Sequence, residues 1–246
     1  MKRLENKVAF ITGGSRGIGA AIAIKMATEG ADVIFTYLHS AQKAAALVDE
    51  IKKTGCRALA IKADSGHAGE LTAAVEQAGN VFGRIDILVN NAGIYNGKPF
   101  AEHTLEDFNT VIDVNVKAVF VASQAALKFI PPGGRIISIG SCMANRVMGP
   151  SATFYAMSKS ALLGFTKGLA RDIGDRKITA NLIQPGPTNT DMNPQDGPHS
   201  DWQRSFMAIP EYGSAEDIAA MVVWVASDEA GFVTGAALTI DGGMTV

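Results

Sequence analysis

The sequence predicts an α/β fold in which one parallel sheet is covered by helices on both faces. Three observations lead there. Short β-branched runs alternate with longer helix-like stretches along the whole chain. Several of these runs are apolar throughout, as strands buried on both faces must be. A glycine-rich turn joins the first run to the first helix-like stretch, the way a doubly wound, Rossmann-type sheet begins. The expectation is a single domain over 1–246 with a seven-stranded sheet, because α/β folds often reach roughly 250 residues as one domain.

In chain order the strands are expected at 8–12, 32–37, 57–63, 85–90, 135–139, 178–183 and 237–240. Helices are expected between them at 17–29, 41–54, 69–82, 105–129, 152–173 and 215–227. No linker-like break or internal repeat divides the chain. One long irregular stretch, 186–213, carries Pro187, Pro194, Pro198 and Pro210. A loop of that length in a compact domain is usually functional, so it is read as the substrate loop.

Composition narrows the function classes. The 22 Lys+Arg against 24 Asp+Glu leave a net charge of −2, with no global attraction to nucleic acid or anionic lipid. With 47% hydrophobic and 19% charged residues, the chain lacks the signature of disorder. No apolar run approaches the roughly 18 residues of a membrane span. The basic start, Met1-Lys2-Arg3, is not followed by a signal-peptide core. Cys56 and Cys142 cannot build a disulfide framework, and the expected location is cytoplasmic. His39, His67, His103 and His199 show no metal-ligand spacing, so no metal site is expected.

The first motif is the turn Gly13-Gly14-Ser15-Arg16-Gly17-Ile18-Gly19 after Val8-Ala9-Phe10-Ile11-Thr12. Glycines let the backbone approach a pyrophosphate, and the helix behind them offers free N–H groups and a positive dipole end. The second strand ends Phe35-Thr36-Tyr37-Leu38-His39-Ser40, without the acid that holds the ribose hydroxyls in an NAD site. A 2′-phosphate would meet no repulsion there, and Arg16 could neutralise it. NADP(H) is therefore expected over NAD(H).

The second motif is Tyr155-Ala156-Met157-Ser158-Lys159, a phenol and an ammonium four residues apart on one helix face. A nearby ammonium lowers a tyrosine pKa, so Tyr155 is expected to titrate low and to donate its proton to a developing alkoxide. No other tyrosine has a lysine at that spacing. Ser141, at the end of Arg135-Ile136-Ile137-Ser138-Ile139-Gly140-Ser141, could hydrogen-bond a carbonyl oxygen.

Taken together, these motifs resemble the short-chain dehydrogenase/reductase family over nearly the whole chain. Thr12-Gly13 through Gly19 is similar to its cofactor motif, and Asn90-Asn91-Ala92-Gly93 to the motif after its fourth strand. Asp64 resembles the aspartate near the adenine. Pro185-Gly186 with Thr188 and Thr190 resembles the segment that holds the carboxamide. The ending Phe232-Val233-Thr234-Gly235 through Ile240-Asp241-Gly242-Gly243 is similar to the family's ending. The resemblance implies that Asn115 holds a water of the proton relay, Ser141 the carbonyl oxygen, Tyr155 the proton, and Lys159 the nicotinamide ribose. It implies a homotetramer, or at least a dimer, built partly from the helices at 105–129 and 152–173.

The family often has a hydrophobic residue after the aspartate, where this chain has Ser65, and its serine-to-tyrosine interval is often one residue shorter. The loop between Ser141 and Tyr155 holds Met143, Asn145, Arg146 and Met148. With Tyr95, Asn96, Pro187, Met192, Trp202, Phe206 and Met207 it is expected to form an apolar substrate pocket. That suits a ketone or a thioester-linked 3-oxoacyl group. The expected function is an NADPH-dependent carbonyl reductase. The alternative is a cyclic-di-GMP-binding regulatory protein on the same fold. It rests on the resemblance of Phe35-Thr36-Tyr37, Gly168-Leu169-Ala170-Arg171-Asp172, Gln184-Pro185-Gly186-Pro187, Asn193-Pro194, Gly197-Pro198 and Ser205-Phe206-Met207-Ala208-Ile209 to a regulatory member of the family.

Overall fold

The computed structural model describes residues 2–246. Seven parallel strands form one sheet in the order β3-β2-β1-β4-β5-β6-β7. They are β1 (Val8–Ile11), β2 (Asp32–Tyr37), β3 (Ala58–Lys62), β4 (Ile87–Asn90), β5 (Arg135–Ile139), β6 (Thr179–Pro185) and β7 (Ala237–Ile240). The helices are α1 (Gly17–Thr28), α2 (Ala41–Lys53), α3 (Ala68–Phe82), α4 (Leu105–Ile112), α5 (Ala118–Ala126), α6 (Thr153–Asp172), α7 (Ser200–Arg204) and α8 (Ala215–Ala226). The doubly wound expectation holds, and every expected strand is present within a few residues of its expected ends.

Strand alternation divides the core in two. Ala9, Ile11, Val33, Phe35, Val89 and Ile137 face one side, where Ile22 and Met26 of α1 and Val222 and Val223 of α8 cover them. Val8, Phe10, Ile34, Leu88 and Ile136 face the other, against Leu71 and Val75 of α3 and Ala122 of α5. The central strands are buried on both faces, which explains the apolar runs.

Two expectations are corrected. The stretch 105–129 is not one helix: a single π turn, Asp113–Lys117, separates α4 from α5. The inserted residue widens the coil locally, as such bulges do where a side chain must be redirected. The loop 186–213 is not wholly irregular, since α7 lies inside it and Thr188 pairs with Gly213 through a backbone bridge. Sheet order reverses between β1 and β4, and that switch point is where open α/β sheets bind ligands.

Candidate active site

At the switch point the turn after β1 is locked to the end of β4. Buried Thr12 accepts hydrogen bonds from the backbone N–H of Asn91 and of Ala92, each at 3.0 Å. The Asn91 side chain donates back to the carbonyls of Thr12 and Gly13, each at 3.0 Å. Gly13 N–H donates to the Thr36 hydroxyl at 2.9 Å, which ties the turn to β2. Gly17 sits at φ +53, and a Cβ on Gly19 would come within 2.5 Å of both the Asn91 amide and the Gly13 carbonyl. Larger residues do not fit either position without strain. Ile18 packs on the core beneath, and Ser15 is half-buried beside it.

The start of α1, like those of α2 and α6, lacks the side-chain cap that closes α4 and α8. α4 and α8 are closed by capping boxes, Thr104 with Asp107 and Ser214 with Asp217. α1 begins at Arg16 with no side-chain cap and no acid in its first turn. Its first N–H groups and positive dipole end are left for an anion. A close-approach glycine turn feeding an uncapped helix fits the pyrophosphate of a dinucleotide. Tyr37 closes β2 and no acid follows it; Asp32, at the opposite end of that strand, is paired with Arg57 at 2.7 Å. Asp64 lies just past β3, where one of its oxygens accepts from Gly66 N–H at 2.8 Å and so caps its own turn.

On α6, Tyr155 and Lys159 lie one turn apart. The Lys159 Nζ is 5.7 Å from the Tyr155 ring centre and donates to the Ile139 carbonyl at 2.9 Å. Lys159 is 4% exposed. Removal from water lowers its pKa to about 8. Burial also pushes Tyr155 up to about 12, against a smaller downward pull from its hydrogen bond to the Ser141 hydroxyl. This corrects the expectation of a low-titrating tyrosine. The spacing brings the amine near the ring, but removal of the phenol from water is the largest influence on it. Ser141 follows β5, is buried, and accepts from Met143 N–H at 3.2 Å.

The π turn aims Asn115 at this group. Its side-chain oxygen accepts from Ile94 N–H at 2.9 Å, and its amide donates to the Ile94 carbonyl and the Ser158 hydroxyl, each at 3.0 Å. Ser158 in turn donates to the Tyr155 carbonyl at 2.7 Å. A Cβ on Gly93 would lie 3.3 Å from the Lys159 Nζ and 3.5 Å from the Asn115 oxygen. Gly93 thus leaves room between them.

Across the sheet, Pro185 pairs with Ile240, and a Cβ on Gly186 would lie 2.6 Å from the Asp241 Cα. The Thr188 hydroxyl donates to the Gly186 carbonyl at 3.0 Å. A Cβ on Gly17 would be 3.5 Å from the Thr190 methyl, so this arm of the loop lies against the glycine-rich turn after β1.

The expected pocket residues divide into two sets. Met143, Met148 and Phe206 pack around Cys142, Met207 and Met244. Tyr95 instead meets Tyr155 edge-on, with ring centres 5.2 Å apart. Pro187 is buried in the loop, while Met192 stays 50% exposed. Ser158 and Met244 carry no functional signal of their own in the sequence. Ser158 is a small polar residue bonded to Tyr155 on its own helix and to Asn115 on another element, and no local pattern marks that pairing. Two surface hollows lie elsewhere, one against α5 and α6 and one near Lys2 and Cys56. Among the described residues no cluster of His, Cys, Asp and Glu is placed to hold a metal, and no helix is long and apolar enough to cross a membrane.

A phenol that keeps its proton, a serine hydroxyl bonded to it and a buried amine can together hold and protonate an oxygen that gains charge. Known proteins carry the same arrangement of chain. A family model described as enoyl-(acyl carrier protein) reductase matches residues 13–245. The crystal structure of a short chain dehydrogenase from Burkholderia cenocepacia J2315 in complex with NADP superposes with a TM-score of 0.98 at 52% identity, over 99% of this chain and 100% of that one. The cyclic-di-GMP-binding biofilm dispersal mediator protein of Escherichia coli K12 is 44% identical over 98% of both chains. A probable tetrahydroxynaphthalene reductase of Zymoseptoria tritici is 34% identical over 98% of this chain and 95% of its own. With this sheet order, this glycine-rich turn and these relatives, the chain belongs to the short-chain dehydrogenase/reductase family of oxidoreductases.

Proposed function

We propose that the protein is an NADPH-dependent reductase that transfers hydride to a ketone or 3-oxoacyl carbonyl, and reversibly oxidises the alcohol. The observation that carries this reading is the grouping of Ser141, Tyr155 and Lys159 at the switch point, with Tyr155 protonated at neutral pH. NADP(H), when bound, supplies or accepts the hydride. Gly13, Ser15, Gly17, Ile18 and Gly19 would hold its pyrophosphate, and Arg16 and Tyr37 its adenosine phosphate. Asp64, Asn91, Ala92 and Gly93 would line the adenine and ribose side. Pro185, Gly186, Thr188 and Thr190 would hold the carboxamide. The NADP bound in the Burkholderia relative and the absence of an acid after β2 support the preference for NADP(H).

Ser141 holds the substrate oxygen and Tyr155 gives it a proton. Lys159 binds the nicotinamide ribose, and its charge offsets the developing phenolate. Asn115 keeps a water beside Lys159 to restore the proton. Tyr95, Met143, Met148, Pro187, Met192 and Phe206 line the substrate pocket. The chain 1–246 acts as one unit with 186–213 as its substrate loop, in the cytoplasm. A second copy covers part of α5 and α6, where Phe120 is 49% exposed beside an apolar hollow, giving a homotetramer or dimer.

A second reading, a regulator that binds cyclic-di-GMP, is favoured by the similarity to the cyclic-di-GMP-binding relative of Escherichia coli. One experiment separates the two. Purified protein is assayed by absorbance with NADPH and NADH over aryl ketones, 3-oxoesters, diketones and an acyl thioester, and titrated with cyclic-di-GMP. NADPH-selective turnover supports the reductase. Cyclic-di-GMP binding with no turnover of any carbonyl supports the regulator and rejects the reductase.

A further inference from the structure

Two cations from separate elements converge on one carboxylate at the edge of the phosphate-binding turn. Arg16, which precedes α1, places its guanidinium 3.8 Å from an oxygen of Asp191. Lys43, in the first turn of α2, places its Nζ 3.2 Å from the same oxygen. Asp191 belongs to the substrate loop, one residue past Thr190, whose methyl lies against Gly17. The loop therefore touches the phosphate-binding turn twice, once through the Thr190 methyl and once through an ion pair shared between α1 and α2.

The chemistry of this pairing matches one part of the expected cofactor. The carboxylate stands where an oxyanion is welcomed by two positive side chains. NADP(H) differs from NAD(H) only by a 2′-phosphate, a dianion near neutral pH. No acid ends β2 to oppose it. Asp191 and a 2′-phosphate would call on the same two cations.

We propose that Asp191 is a placeholder for the 2′-phosphate. Arg16 and Lys43 hold it in the cofactor-free protein and exchange it for the phosphate when NADP(H) binds, which frees the substrate loop from the turn. NAD(H) lacks the group that competes, so it leaves the latch closed. Lys43 and Asp191 are then specificity-determining residues, and the identity of the dinucleotide is coupled to the freedom of the loop. The inference rests on the dinucleotide reading above but not on which carbonyl is reduced.

All three side chains are half-exposed, so each pairing is worth little and the effects are modest. The test is direct binding of NADP+ and NAD+ by calorimetry to the wild type, Asp191→Asn, Lys43→Ala and the double variant. Asp191→Asn is expected to bind NADP+ about twofold to fivefold more tightly, with NAD+ unchanged. Lys43→Ala is expected to weaken NADP+ alone by about fivefold. In the double variant the gain from Asp191→Asn shrinks, because one of the shared cations is gone. Hydrogen exchange over 188–193 in the cofactor-free protein should rise in both single variants. Equal effects on NADP+ and NAD+, full additivity in the double variant, or unchanged exchange over 188–193 overturns the proposal. Failure of the wild type to bind either dinucleotide overturns the cofactor reading itself, and the latch with it.

Discussion

The group around Tyr155 and the loop 186–213 sit at the same ends of the strands, yet they are held by opposite means. Asn115, Lys159 and Ser141 are 0%, 4% and 7% exposed, and each is tied to backbone by short hydrogen bonds. In the loop, Met192 and Trp202 are 50% and 46% exposed. The loop is held largely by exchanges among its own side chains, as where Asn193 and Tyr212 meet Gln203. The chemical group is fixed by elements far apart in sequence, whereas the loop is local and adjustable. The difference teaches where change is tolerated. Proton transfer needs a preset geometry, and substrate choice can vary by exchanging loop side chains.

The sharpest way to break this comparison is at Lys159. Lys159→Met should lower turnover by about a thousandfold or more, consistent with loss of acid–base function. It should also raise thermal stability at pH 7, because the wild type keeps a charged amine out of water there. The sign follows from the lowered pKa. Between about 8 and the ordinary lysine value of 10.5 the unfolded chain binds more protons, so wild-type stability rises with pH. The advantage of the variant is fully present below about 8 and shrinks above it. Thermal unfolding of both proteins from pH 6 to 10 checks this.

Ser141→Ala should cost about a hundredfold in turnover with little change in cofactor affinity, read from kcat and a binding titration. Reduction by the wild type should decline as pH rises past about 8, where Lys159 loses its charge, well before Tyr155 at about 12 ionises. A pH–rate profile of kcat/KM locates that limb. The smallest effect is expected in the loop. Met192→Ala should change the relative kcat/KM of bulky and small carbonyls by about tenfold, the low end of the about 1–3 kcal/mol that a methylene in an apolar pocket is worth, because Met192 is half-exposed. Its unfolding midpoint should hardly move.

The same contrast governs how much could be read from the sequence. The sheet is legible because strands such as Val8–Ile11 are apolar throughout where both faces are covered. Tyr155 and Lys159 were legible because helical spacing is a local property. The π turn was not, since Asp113-Val114-Asn115-Val116-Lys117 reads as ordinary helix and only packing against Ile94 and Ser158 sets it apart. The five residues of α7 are too few to show a period among prolines. The raised pKa of Tyr155 is not legible either, because spacing reports a neighbouring charge but not the loss of water. The meeting of Lys43 with Asp191, 148 positions apart, has no local signature at all.

The most direct test of the central claim compares the wild type with Tyr155→Phe on one set of preparations, measuring NADPH affinity and the rate of NADPH consumption with the best carbonyl found. The substitution removes only the hydroxyl oxygen and keeps the ring against Tyr95. NADPH affinity is predicted to stay within about twofold, while turnover falls by about a thousandfold or more, at the upper end for loss of a general acid. Turnover in Tyr155→Phe close to that of the wild type would contradict the assignment of the proton to Tyr155.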